Sequence, residues 1–177
     1  MCIRDRYGPL LFGHSTSNVQ ATKTNWNIDN GTGGMISVGI GGSITGYGAD
    51  LLVVDDPIKN RGEAESLTYR DKLWDEYQST VSTRLHAGGA VIIILTRWHE
   101  DDLAARLLNP EYGKVEDWKI ISLPAICEDP DTDPLGRTFG EALWPAGGYN
   151  EAWAAQQKET VGTYAWSSLY MLSLIHI

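Results

Sequence analysis

Leu51-Leu-Val-Val-Asp-Asp-Pro57 sets four consecutive apolar residues, half of them β-branched, against two carboxylates and a proline. A short apolar run with no polar alternation is the pattern of a strand buried on both faces, as in a parallel sheet. Ala90-Val-Ile-Ile-Ile-Leu95 repeats that character and runs out into Thr96-Arg-Trp98. Between the two, from about Ser66 to Leu85, the residues Leu67, Leu73, Trp74, Tyr77, Val81 and Leu85 recur at helical intervals and form one apolar stripe. Gly88-Gly89 closes that helix. Strand, long helix, strand is a βαβ unit, and its crossover is expected to be right-handed.

Working outward from this unit, Gly31-Thr-Gly-Gly34 leads into a strand at Met35–Val38, and Gly39-Ile-Gly-Gly42 and Gly46-Tyr-Gly48 punctuate a loop. Downstream, His99 to Asn109 reads as a helix. Glu100, Asp101 and Asp102 fall in its first turn, Leu103, Leu107 and Leu108 on its buried face, and Pro110 stops it. Trp118 to Leu123 reads as a third strand, residues 124–149 as a long ordered loop or small lid, and Asn150 to Val161 as a last helix capped by Asn150. The expected architecture is α/β, a three-layer parallel sheet.

The 177 residues are 42% apolar and 21% charged, the mix of one globular domain with a sizeable core. No apolar run approaches the ~20 residues of a membrane span. Cys2 and Cys127 cannot make a disulfide framework, which favours a reducing cytosol. The net charge of −9 is uneven: residues 1–97 hold 9 basic and 10 acidic side chains, residues 98–177 hold 5 and 13. That balance excludes a histone-like, charge-driven nucleic-acid binder. Met1 to Arg6 carries no capping, strand or targeting pattern, and Leu172 to Ile177 is an apolar tail without a helix-ending signal. Residues 1–6 and 171–177 are therefore expected to be foreign tails from sequence assembly or cloning, with a short terminal strand as the alternative.

Parallel α/β sheets place ligands at the carboxyl ends of their strands. Asp55 there suits the hydration shell of a Mg²⁺ that bridges nucleotide phosphates, and Asp56 suits orienting and deprotonating an attacking water. The alternative is a polar turn after a strand. Thr96 stands where a hydroxyl can sense a terminal phosphate, or it caps the next helix. Arg97 is a candidate contact to nucleotide phosphate or DNA, or it pairs with the acids at 100–102. Two metal patterns fail. His99-Glu100 lacks a histidine at position 103, and Asp129, Asp131 and Asp133 have calcium-loop spacing but Pro134 where glycine is needed and Gly140 where glutamate is needed. Both sets read as solvated acids. The seven tryptophans are scattered and read as core or interface anchors.

Gly41 to Pro57, Lys59-Asn-Arg61, Thr96-Arg-Trp-His-Glu-Asp-Asp-Leu103, Leu135-Gly-Arg137, Gly140-Glu-Ala-Leu-Trp-Pro145 and Trp166-Ser-Ser-Leu-Tyr170 together resemble the large subunit of tailed-phage DNA-packaging terminases, over about residues 7 to 170. The resemblance implies a P-loop-NTPase-like motor that uses ATP and Mg²⁺ to pump double-stranded DNA into a procapsid in the host-cell cytoplasm. In that family an endonuclease domain follows the ATPase. It also implies a small terminase subunit, a portal protein and a ring of copies as partners. Asp55 matches the Walker B magnesium position, Asp56 the catalytic acid and Thr96 the coupling motif, with Arg97 as a nucleotide contact.

Three departures accompany the resemblance. No Gly-x-x-x-x-Gly-Lys-Ser/Thr loop is present, since Gly113-Lys114 is followed by Val115 and no glycine stands at 108. Tyr47 stands where an arginine finger is expected. The chain stops where the nuclease would begin. Residues 7–170 are accordingly expected to be the rear portion of an ATPase domain, with a lid-like region at 123–149 and the nuclease absent. The alternatives are another P-loop motor such as a helicase, or a non-catalytic interaction module with a degenerate ATPase fold. The acidic stretch 98–177 suits a lid or subunit-facing surface, which leaves Lys59-Asn-Arg61 as the basic loop for DNA. Purified alone, the chain is expected not to hydrolyse ATP; measurable turnover that Asp55→Asn abolishes would overturn this.

Overall fold

The computed structural model describes residues 13–29, 33–42, 44 and 46–173. Residues 1–6, Gly31, Thr32 and the last four residues of the carboxyl-terminal tail lie outside them. The chain divides into two compact units, Met1–Gly46 and Tyr47–Ile177.

The first unit is an antiparallel meander of β1 (Thr16–Ala21), β2 (Asn25–Ile28) and β3 (Gly34–Ile36). Thr22 and Asn25 close the first turn, with the Asn25 N–H donating to Thr22 Oγ1 at 2.9 Å. Only β3 is visible in the hydrophobic pattern, and it is Gly34–Ile36 where Met35–Val38 is expected. The other two strands are largely polar, and turn chemistry rather than apolar alternation defines them. Gly34 is needed because a Cβ there would meet the Trp26 carbonyl oxygen at 2.6 Å.

In the second unit β4 (Ala49–Asp55) pairs in parallel with β5 (Leu85–Ile94), in the register Leu52↔Val91 through Asp55↔Ile94. The crossover is helical, as the sequence requires. It comprises α1 (Arg61–Glu65), α2 (Leu67–Glu76), a π turn at Tyr77–Val81 and a 3-10 turn at Ser82–Arg84. Ser66 caps α2 by accepting from the Tyr69 N–H at 3.3 Å. Val54, Ile58, Ala64, Leu73, Tyr77, Val81 and Leu103 form the core, with Leu52 and Ile93 packed against it.

The α/β class and the parallel pairing hold, but Gly88-Gly89 lies inside β5 and does not close the crossover helix, and neither two-sided cover of the sheet nor a third strand is found among the described residues. Among the described residues of this unit only one face of the β4–β5 sheet is covered: Leu51 and Val53 are about half exposed, at 54% and 50%, as is Ile94 at 53%. An unalternating apolar run carries no information on how many layers enclose it. Trp118–Leu123 forms no strand either, and Ile120 is 68% exposed, so among the described residues this sheet has two strands.

The helix expected at His99–Asn109 is α3 (Leu103–Leu108), because Asp102 is its cap and accepts from the Ala105 N–H at 2.9 Å. Glu100 and Asp101 therefore precede the helix. The last helix, α4 (Glu151–Ala165), begins after Asn150 as expected. It does not stop at Val161: Gly162 takes φ 79° and ψ 166°, and the chain continues through Ala165 into a π turn at Trp166–Tyr170. Such backbone angles are essentially restricted to glycine, so the glycine is a bend here and not an end.

Two ion-pair clusters organise this unit. Asp101 accepts from Arg70 Nε at 3.0 Å, from Arg106 Nε at 2.8 Å and Nη2 at 2.6 Å, and from the Tyr112 hydroxyl at 3.1 Å. Arg70 and Arg106 are buried, and Arg106 also reaches Asp71 on α2 at 2.8 Å. In the segment 124–149, Asp133 binds the buried Arg137 through Nε and Nη2, while Arg137 Nη1 donates to the Pro124 carbonyl at 2.9 Å. Hydrogen bonds from Arg106 hold the Asp101 carboxyl well below the usual carboxylate range, and those from Arg137 lower Asp133 to about 2.

Both shifts run downward, so the stability they bring is complete above the ordinary aspartate pKa of about 4 and is lost as the pH falls through the depressed values. Asp101→Asn is expected to cost about 3 kcal/mol at pH 7, because it leaves the buried Arg70 without a counter-charge and Arg106 with Asp71 alone. It is also expected to flatten the acid-side loss of stability. Urea midpoints across the pH range test both, and an unchanged midpoint at neutral pH would remove Asp101 from this role.

Candidate functional site

Asp55 and Ile94 are ladder partners at the ends of parallel strands, so the residues that follow them leave the sheet side by side. The Asp56 N–H donates to the Ile94 carbonyl at 2.8 Å, which extends the pairing by one step. Asp56, Pro57, Ile58, Thr96, Asp102 and Leu103 then line one small cleft. The sequence separates these groups by up to four dozen positions, and the parallel register brings them together.

Asp55 and Asp56 are exposed, and among the described residues neither carboxylate makes a hydrogen bond or ion pair. Asp56 has φ 43°, in the left-handed region that non-glycine residues rarely adopt. That conformation costs roughly 1–2 kcal/mol, least for Asn and Asp, and concentrates at functional sites. Several turn types also take a positive φ at an Asp, so the conformation suits a polar turn as well. Thr96 is half-buried and, among the described residues, its hydroxyl has no partner. It is not the cap of α3, because Asp102 takes that role.

Arg97 resolves differently. Its Nε donates to Asp102 Oδ2, and the Asp102 side chain is only 2% exposed. Burial raises the pKa of Asp102, opposed by the Arg97 charge and the Ala105 N–H. Arg97 thus pairs with Asp102, one of the acids that follow it, and its main-chain N–H donates to the Ser168 carbonyl at 3.2 Å. The carbonyls of a last helical turn have no partner within their helix, so Arg97 satisfies one of them.

The acids expected to be solvated are mostly committed. Asp101, Asp102 and Asp133 sit in ion pairs, and Asp129 closes a turn by accepting from the Asp131 N–H at 3.2 Å and the Thr132 hydroxyl at 2.8 Å. His99 Nδ1 accepts from the Asp101 N–H at 2.9 Å. No group of three or more His, Cys, Asp or Glu among the described residues could hold a metal alone. In the basic loop Lys59 is exposed, whereas Arg61 lies 3.9 Å over the Tyr164 ring and pairs with Glu65 at 3.5 Å. Tyr47 is 51% exposed.

Sequence reasoning missed Tyr164 and Ser168, which reach this region from the far end of the chain. The glycine two positions before Tyr164 was a signal of a bend that could have brought them there.

These geometries separate stability from function. Asp55→Asn and Asp56→Asn are expected to stay within about 0.5 kcal/mol of the unsubstituted chain, since neither removes a partner. Arg97→Ala is expected to cost about 3 kcal/mol by stranding the buried Asp102 carboxylate. Chemical denaturation distinguishes the two classes, and equal losses for Asp55→Asn and Arg97→Ala would contradict the assignment.

A family model described as terminase large subunit, T4likevirus-type, N-terminal, matches residues 18–175. No curated protein and no solved structure matches the chain. The match spans both units and every block of the site, and by it the chain belongs to the terminase large-subunit family.

Proposed function

We propose that this chain supplies the magnesium- and water-handling edge of an ATP-hydrolysing motor that drives double-stranded DNA into a viral procapsid. Membership of the terminase large-subunit family gives it a role in phage DNA packaging. The observation that carries the finer reading is the register Asp55↔Ile94, which sets Asp55, Asp56 and Thr96 at one sheet edge. Mg²⁺ keeps several waters and takes one or two carboxylates plus phosphate oxygens, so two exposed acids without partners fit it better than a closed cage would. Bound Mg²⁺ would neutralise charge on the β- and γ-phosphates.

Asp55 would hold that ion, and Asp56 Oδ would accept the proton of the attacking water. The unpartnered Thr96 hydroxyl registers the terminal phosphate through one hydrogen bond. Arg97, fixed by Asp102, offers the nucleotide the nitrogens that the carboxylate leaves free. The small subunit, the portal and further copies of the motor assemble around the intact protein in the host cytoplasm.

The reading is tested by extending the source reading frame in both directions and expressing the complete protein. A Gly-Lys-Ser/Thr loop upstream is expected, with DNA-stimulated ATP hydrolysis that falls by about 10²-fold or more in Asp55→Asn and in Asp56→Asn. Thr96→Val is expected to hydrolyse ATP while packaging little DNA. Full hydrolysis by Asp55→Asn would overturn the assignment of the site.

A further inference from the structure

We infer that Tyr164 is a positioning residue that ties the arm following β5 to the helix following β4, and thereby sets where Thr96 stands relative to Asp55 and Asp56. The inference rests on the site reading above but on different contacts. The Tyr164 hydroxyl lies 2.9 Å from the Trp98 carbonyl oxygen and 3.2 Å from Glu65 Oε1. Its single proton serves the nearer acceptor, and Glu65 is the alternative. Trp98 is two residues beyond Thr96; Glu65 ends α1, which starts five residues after Asp56. One hydroxyl therefore touches both arms of the cleft.

Two further contacts make the tie directional. The Arg61 guanidinium stacks 3.9 Å over the Tyr164 ring and pairs with Glu65, which fixes the ring from the α1 side. One turn after Tyr164, the Ser168 carbonyl accepts the Arg97 N–H. Trp98 is thus held from the last turn of α4 and Arg97 from the π turn that follows it. The Gly162 bend lies immediately before this segment, at backbone angles other residues avoid, and a Cβ there would meet nothing within 4 Å. Arg61 and Glu65 are exposed, at 62% and 48%, and pairs of that kind add little to stability. What these contacts supply is the relative placement of the two arms.

Tyr164→Phe removes the hydroxyl and keeps the ring over Arg61. In the purified chain, amide hydrogen exchange at Arg97 is expected to quicken by about tenfold, the loss of roughly one hydrogen bond, with the β4–β5 ladder amides unchanged. Gly162→Ala is expected to give the same pattern without altering a side-chain contact. Unchanged exchange at Arg97, or an equal rise along the ladder that marks general loosening, would overturn the inference. In the complete protein Tyr164→Phe is expected to lower kcat for ATP with KM unchanged. A full kcat there, beside an inactive Asp55→Asn, overturns the positioning role alone. An active Asp55→Asn overturns the site reading and leaves the exchange result to stand on its own.

Discussion

The Asp101 carboxylate sits between two buried guanidiniums, and much of the second unit depends on that arrangement. An arginine cannot shed its proton to escape burial, so Arg70 and Arg106 each require a counter-charge within reach. Arg70 belongs to α2 and Arg106 to α3, and both reach the same acid in the segment before α3. The clamp therefore fixes where the chain leaving β5 must turn. Asp102, the next residue, is then committed to capping α3 and to holding Arg97.

The same economy separates the acids into two kinds. Asp101, Asp102 and Asp133 are consumed by structure, each with an arginine partner. Among the described residues Asp55 and Asp56 have none, and they stand at the sheet edge where parallel strands release their chains. A carboxylate that stabilises nothing in the fold is available for chemistry. This difference argues for the site more directly than the presence of acids in a strand-end motif, because it survives the objection that such turns are common.

Local patterns made part of this legible in advance. The apolar runs located β4 and β5, the heptad-like spacing located the crossover, and Asn150 announced α4. The sequence could not show that the sheet is covered on one face only, because an apolar run looks the same with one layer or two above it. It could not show that Asp101 and Asp102 are buried, because their partners lie at Arg70, Arg97 and Arg106 and only the fold unites them. Nor could it show that Thr96 is uncapped. Its competitor for the cap, Asp102, lies six residues on, and a helix start four residues later than His99 decided between them. Tyr164 was invisible for the same reason: its partners lie 66 and 99 positions away.

The parallel ladder carries a consequence for how the chain reaches this state. Asp55 and Ile94 lie about forty residues apart, so closing them costs several times RT of loop entropy before any ladder hydrogen bond repays it. The helical crossover between them consists of local contacts and forms without that cost. The local helical contacts are therefore expected to form before β5 pairs with β4, and the strand edge that carries Asp55, Asp56 and Thr96 is expected to close late. Changes in the apolar stripe of α2 will act mainly on the folding rate, and changes at the strand ends mainly on the lifetime of the folded protein.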